Sequence, residues 1–486
     1  MACMSTLAAF VASLTSPRNV ELRRRKRSVL AGLALTVGSM ANAGAETFTG
    51  AVYAGSNRST GNSIAAFGRN LNGTLTPIAE FATGGFGGVF DAGEGLDPLI
   101  SEDSVLNIGN RFLLTVNAGS NTISSFRINP GFSLTLINTA STGGTGPNSI
   151  AHRNGLVYVS NIDSDGVATG APDHSGNITG LRLDPTTGQL TPIAGSTREL
   201  GSRPSDVEFS PDGAHLVISS VNAGSSLLTS GSDAQISTYG VQADGSLTAS
   251  ASGVAASTLP GNAAGRNLPT SIGFEIVEIN GAQFVIATEA REFLPTGEPG
   301  MLPDFQTGSV STWRLNSDGS LTAISQDILT GPSVAEGPTS ACWIVMSADA
   351  RTFWVASASG AAISTYRLND DGTIALLDGL AATGSPALPG APDPLADADG
   401  FIDLALSSDG EYLYQLLGLQ GAVNVYNVGA DGSSLTLLQQ AIGLLPDANI
   451  QGIVAVAPVP LPAGFVLLLT GVAGLVVTRW KRNSCA

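Results

Sequence analysis

Seven copies of one unit recur along the chain. Each is an alternating strand, a polar turn and a Leu-Thr or similar pair. They run NSIAAFGRNLNGTLTPI (62–78), NTISSFRINPGFSLTLI (121–137), NITGLRLDPTTGQLTPI (177–193) and AQISTYGVQADGSLTAS (234–250). The last three are GSVSTWRLNSDGSLTAI (308–324), AAISTYRLNDDGTIALL (362–378) and AVNVYNVGADGSSLTLL (422–438). A second unit precedes most copies, as in SDVEFSPDGAHLVISS (205–220) and FIDLALSSDGEYLYQLL (401–417). It is a strand, a turn usually built on Asp-Gly, and another strand. Such self-similarity constrains the fold more than any bulk property.

Alternation places successive side chains on opposite faces of a strand. Asp-Gly is expected to supply the positive-φ positions of a tight hairpin. Two linked hairpins make a four-stranded antiparallel sheet, and residues 46–458 divide into seven such units of about 59 residues. One sheet cannot bury both of its faces. Seven arranged radially cover one another, which predicts an all-β, seven-bladed β-propeller. The first unit opens on VYAGSN (52–57) with no innermost strand before it, and the last is followed by IQGIVAV (450–456). The C-terminal strand is therefore expected to complete the first blade and protect its edge. The longest departure from the period, between Ile236 and Val310, contains ATEAREFLPTGEPGMLPDFQTG (287–308), which reads as a long loop.

The two ends differ from this body. Arg23-Arg-Arg-Lys-Arg27, an apolar stretch to Met40 and Ala41-Asn-Ala-Gly-Ala45 have the order of a secretory signal peptide over residues 1–45. Ala43 and Ala45 form a small-x-small cleavage site. Residues 459–486 hold Val459, Pro460, Leu461, Pro462 and Ala463, then an apolar run, then Arg479-Trp-Lys-Arg482. The run is at the short limit for a membrane helix, and its basic end favours the cytoplasmic side. An extracytoplasmic body, secreted or at the cell surface and anchored for a time by this helix, is the expectation. Over 46–458 there are 13 arginines, no lysine and 38 acids. That charge excludes nucleic acid and anionic lipid as natural partners of the body. Cys342 is the only cysteine between these ends, so no disulfide is expected within the body. No cofactor is called for. A monomer is expected.

The tail resembles PEP-CTERM-type sorting signals, in their Val-Pro-Leu-Pro-Ala variant. That resemblance implies export machinery and an exosortase-type protease as partners. VNAGSNTISSFRI (116–128), RPSDVEFSPDGAHLVIS (203–219) and ACWIVMSADARTFWVASASGAAISTYRL (341–368) resemble the lactonase-like propellers, which include 6-phosphogluconolactonases and carboxymuconate cyclases. The resemblance implies His, Arg and Glu at a channel mouth, with a Gly-Pro-Arg-His-type segment before an innermost strand. The matching segment is Ser202-Arg-Pro-Ser205: Arg203 is retained in kind, and Ser205 stands where the His would be. This departure favours a binding or extracellular-matrix interaction module of unknown ligand over the alternative, an extracytoplasmic lactonase.

Links into the innermost strands are expected to converge at one channel end. Arg203, Asp206, Arg266 and Glu336 would then meet, as catalytic groups, as a cradle for a carboxylate or lactone through guanidinium contacts, or as turn-stabilising ion pairs. Glu289 and Arg291 in the long insertion would cap the channel as a lid, or lie in a solvated loop. Asn161, Asp163 and Asp165 match the first half of a calcium loop, although Pro172 occupies the place of the closing Glu; an Asp-rich turn is the other reading.

Overall fold

The structure is a computed structural model. It describes residues 48–88, 97–163, 176–221, 235–256, 269–293, 304–386 and 397–458. The expected signal segment and the sorting tail lie outside these residues. Among the described residues no helix is long and apolar enough to cross a membrane.

Seven antiparallel sheets follow one another. Blade 1 orders, from the inside outward, Gln451–Val456, Gly50–Gly55, Ser63–Arg69 and Leu75–Ala82. The innermost strands of blades 2 to 4 are Val105–Ile108, Thr145–Arg153 and Arg203–Phe209. In blade 5 the innermost position is shared by Pro269–Thr270 and Phe274–Ile279. Blades 6 and 7 begin with Ala341–Met346 and Phe401–Leu406. The C-terminal strand completes the first blade, with Ala51 opposite Val456 and Tyr53 opposite Val454. Second strands such as Gly50–Gly55 and Tyr412–Leu417 are wholly buried, innermost strands such as Arg203–Phe209 are buried only in part, and outer strands such as Leu435–Ala441 are half exposed. Large side chains fill the sheet-to-sheet contacts: Trp313, Trp343, Trp354, Tyr53 and Tyr414 are fully buried.

Neighbouring blades are tied by polar contacts that repeat. Tyr53 Oη donates to the Phe132 carbonyl at 2.8 Å, and Tyr158 Oη to the Gly245 carbonyl at 2.8 Å. Asn138 and Gln439 each hold both backbone groups of a residue in the next blade, Leu190 and Leu75 respectively. The second of these pairs closes blade 7 onto blade 1.

Two expectations need correction. The Asp-Gly hairpin turns have one positive-φ residue, not two; two occur instead at Gly109-Asn110, Asn154-Gly155 and Asn280-Gly281. In Ser407-Ser-Asp-Gly410 only Gly410 (φ 73°) is left-handed, and Asp409 caps the turn by accepting from Ser407 Oγ at 2.6 Å. The carboxylate stabilises the bend, so the Asp needs no left-handed backbone. Secondly, most of the expected long loop at 287–308 is strand. Ala282–Phe293 and Asp304–Leu315 pair with each other as far as Phe293 opposite Asp304.

Candidate functional site

The innermost strands have one edge that no neighbouring strand pairs, and its N–H groups face the channel. An unpaired buried N–H is costly, so an acceptor must reach it. Carboxylates supply it. Asp206 Oδ1 accepts from Val207 N at 2.7 Å and Ser149 Oγ at 2.9 Å, and its Oδ2 from Phe274 N at 3.2 Å. Glu208 accepts from Ile276 N at 3.1 Å, and Glu275 from Met346 N at 3.2 Å. Asp403 accepts from Leu404 N at 2.8 Å and Ile453 N at 3.1 Å. Blades 4 and 5, 5 and 6, and 7 and 1 are thereby stapled through side chains. Register shifts at Pro204/Asp206 and Ile402/Leu404 are the bulges that re-aim these residues inward.

The segment from Asp97 to Ser104 lies across the channel. Leu99 O accepts from Asn148 of blade 3, and Ser101 O from Trp343 of blade 6 at 2.9 Å and Gln451 of blade 1 at 2.8 Å. Ile100 packs in one apolar cluster with Ile162, Val221, Ile272, Cys342 and Ile402. Glu102 belongs to the strand approach of blade 2, yet its Oε1 accepts from Ile344 N of blade 6 at 2.9 Å. Gly273 makes room for this reach, since a Cβ there would stand 1.8 Å from Glu102 Oε2.

Beyond the crossing, towards the turns that join first and second strands, a cavity of about 310 Å³ is left. Its wall includes Glu102, Asp103, Glu208, Glu275 and Asp403, with apolar Ile344, Met346 and Leu404 between them. Ala348, Ser407 and Ser408 from the hairpin turns form its rim. A larger groove of about 590 Å³ lies by Arg182, Asp184 and Gln189 on the outer part of blade 3, away from this convergence of acids.

Burial pushes every one of the five carboxyls upward. Glu275 is raised to about 7 and Asp403 to about 8. Glu102 is raised well above the ordinary range by burial and by the charges of Asp206, Asp403 and Asp103. Asp103 and Glu208 follow for the same kind of reason. Asp206 is raised to about 7, its three hydrogen bonds opposing the burial.

The sign of the pH dependence follows. Groups raised in the folded state hold protons that the unfolded chain has already lost, so stability is fullest below about pH 4 for these groups and falls as pH rises towards 7–8. The melting temperature is expected to be higher at pH 5 than at pH 8. A Glu208→Gln/Glu275→Gln double variant should shrink that difference. An unchanged difference would separate the acids from the pH response.

The residues singled out in the sequence are placed as follows. Asp206 is on the channel, fully buried. Arg203 starts the same strand and is half-buried, while Glu336 is exposed in a turn formed with Ser333. Neither lines the acidic cavity. Arg266 and Asp165 lie outside the described residues. Glu289 and Arg291 are strand residues inside blade 5, both at 0% exposure and ion-paired at 2.6 Å. They form no lid, because pairing of the two long strands carries them into the sheet. Asn161 is buried and donates to Thr142 O at 3.0 Å and Asn177 Oδ1 at 2.9 Å, in an extended strand that also includes Asp163. Among the described residues no three His, Cys, Asp or Glu side chains are grouped to hold a metal ion. Cys342 is a buried thiol outside any disulfide. His152 and His215 do not line the cavity.

Glu102, Asp103, Glu208, Glu275 and Asp403 were absent from the sequence-level candidates. For Glu208, Glu275 and Asp403 the signal is an acid flanked by apolar residues within an innermost strand; Glu102 and Asp103 precede theirs and carry no such signal.

No protein-family model matches the chain, and no curated protein matches it in sequence. Its solved structural neighbours share the fold and include proteins named as candidate 6-phosphogluconolactonases. A Bacteroides fragilis protein named as a candidate 6-phosphogluconolactonase aligns with TM-score 0.54 at 16% identity, over 83% of this chain and 97% of that one. A Bacteroides uniformis protein named likewise gives TM-score 0.52 at 17% identity, over 83% and 98%. A Lactobacillus plantarum protein gives 0.56 at 15% identity, over 84% and 99%.

Proposed function

We propose that this chain is an exported binding module: a propeller carried out of the cytoplasm, retained for a time by its C-terminal tail, and capturing a ligand at the acidic end of its channel. The observation that carries the ligand part is the cavity wall, where five carboxyls converge and, among the described residues, none that lines it is cationic. Such a wall repels an anionic substrate. A phosphosugar lactone would bring further negative charge among crowded acids, and no described lining residue offers its phosphate a guanidinium. The export part rests on the order of segments at residues 1–45 and 459–486.

A second reading has one observation in its favour. Glu275, on the cavity wall and raised to about 7, is poised for proton transfer near neutral pH. Together with the lactonase-like fold, this supports hydrolysis of an uncharged lactone.

Two measurements decide. The purified chain is incubated with 6-phosphogluconolactone, gluconolactone and muconolactone. No turnover above spontaneous hydrolysis is expected. Turnover of gluconolactone that disappears in Glu275→Gln would replace the module with the lactonase. For export, deletion of residues 459–486 should move the protein from the envelope fraction to the medium; an unchanged distribution would remove the sorting role.

A further inference from the structure

The cavity narrows the ligand's chemistry further. We propose that the channel mouth binds a small organic ammonium, an amine with a short apolar body; this rests on the binding-module reading.

Charge and an unmet polar atom come first. Glu102 lines the cavity, is 5% exposed, and keeps Oε2 without a hydrogen-bond partner. Glu208 and Glu275 are half-buried, and each gives one oxygen to the neighbouring strand, Oε2 to Ile276 N and Oε1 to Met346 N. Their second oxygens are open to a donor. Asp103 is half-buried on the same wall. Buried acids without a cation repel one another, and each loses solvation. A ligand that brings positive charge and N–H donors relieves both.

Size and geometry then separate an ammonium from a metal ion. A divalent cation needs several oxygens about 2.0–2.6 Å from one point. Among the described residues the acids are not grouped in that way, and Glu102, Glu208 and Glu275 are each tied to a backbone N–H of another blade. An ammonium accepts a looser arrangement: its hydrogen bonds are about 2.7–2.9 Å long and can reach carboxyls on different blades. A cavity of about 310 Å³ is far larger than an ion and stands at the small end of organic-ligand pockets. The Ile344, Met346 and Leu404 surface between the acids suits a short alkyl chain.

Calorimetry on the purified full-length chain, at low salt and pH 8, uses three probes: 1,4-diaminobutane, 1,4-butanediol and calcium chloride. The diamine is expected to bind with unit stoichiometry, and the uncharged diol to give no heat. Glu208→Gln and Glu275→Gln, checked as folded by near-UV circular dichroism, should each weaken the diamine at least 10-fold. Binding of the diol as tight as that of the diamine, or diamine affinity unchanged in both variants, would overturn the proposal. Calcium heat with a silent diamine would also overturn it, while leaving a cation-binding module in place. Silence with all three probes alongside lactone turnover would end the module reading itself.

Discussion

A chain stopped at Asn449 will not fold into a cooperative propeller, whereas a chain stopped at Pro458 will melt like the full-length protein. The difference is the innermost strand of blade 1. Gln451–Val456 pairs along Gly50–Gly55, every residue of which is buried. Without it, five register pairs are lost and a buried strand edge is opened. Ile453 and Val456, now 5% and 4% exposed, go with it. Each buried aliphatic side chain contributes about 1.5–3 kcal/mol. Asp403 and Ser101 also lose partners, Ile453 N and Gln451 Nε2. Each orphaned buried group costs about 1–3 kcal/mol more. Together these reach the 5–15 kcal/mol that holds a typical domain together. Thermal unfolding followed by circular dichroism is the check. A chain ending at residue 449 that still melts cooperatively within a few degrees of the full-length protein would show that ring closure adds little.

That closure was legible in the sequence, and the acidic cavity was not. The contrast is physical. Strand alternation and Ser-x-Asp-Gly turns are local, so they recur visibly at Ser210-Pro-Asp-Gly213 and Ser407-Ser-Asp-Gly410. A missing innermost strand at one end and a spare one at the other are equally visible. The cavity acids follow no shared motif. They occur in Ser-Glu-Asp-Ser (101–104), Asp-Val-Glu-Phe (206–209), Phe-Glu-Ile (274–276) and Ile-Asp-Leu (402–404), at different offsets. Only radial arrangement brings them together, and only a bulge such as that at Asp403 turns one inward. Attention to the links before the strands picked Arg203 and Glu336, which mark the beginnings of the strands. The cavity lies towards their ends, under the hairpin turns. Likewise Glu289 and Arg291 sit in a charged, Pro- and Gly-containing stretch that reads as loop, yet two strands of twelve residues each carry the first part of it into the sheet.

Those two residues give the second large effect. Glu289→Ala should destabilise the protein by about 3–5 kcal/mol, the usual result of removing one partner of a buried ion pair. Glu289 Oε2 accepts from Arg291 Nη2 at 2.6 Å and Ser309 Oγ at 2.7 Å, and its Oε1 from Ser311 Oγ at 2.8 Å. Arg291 also meets Asp327 at 3.1 Å. All of this is shielded from water, so the guanidinium left behind keeps a buried charge with reduced compensation. Glu289→Gln retains an acceptor and should cost less. Replacing both members with apolar side chains, Glu289→Leu with Arg291→Met, and adding Asp327→Asn so that this third buried charge is not orphaned, should recover part of the loss, because desolvation of all three charges is then avoided. Urea unfolding of the four proteins measures these differences. The same variants separate structure from ligand binding: wherever they remain folded, their affinity for 1,4-diaminobutane should equal that of the parent, since none of the three residues lines the acidic cavity. A Glu289→Ala protein of parental stability, or a folded one that no longer binds the diamine, would move this pair out of the scaffold and into the site.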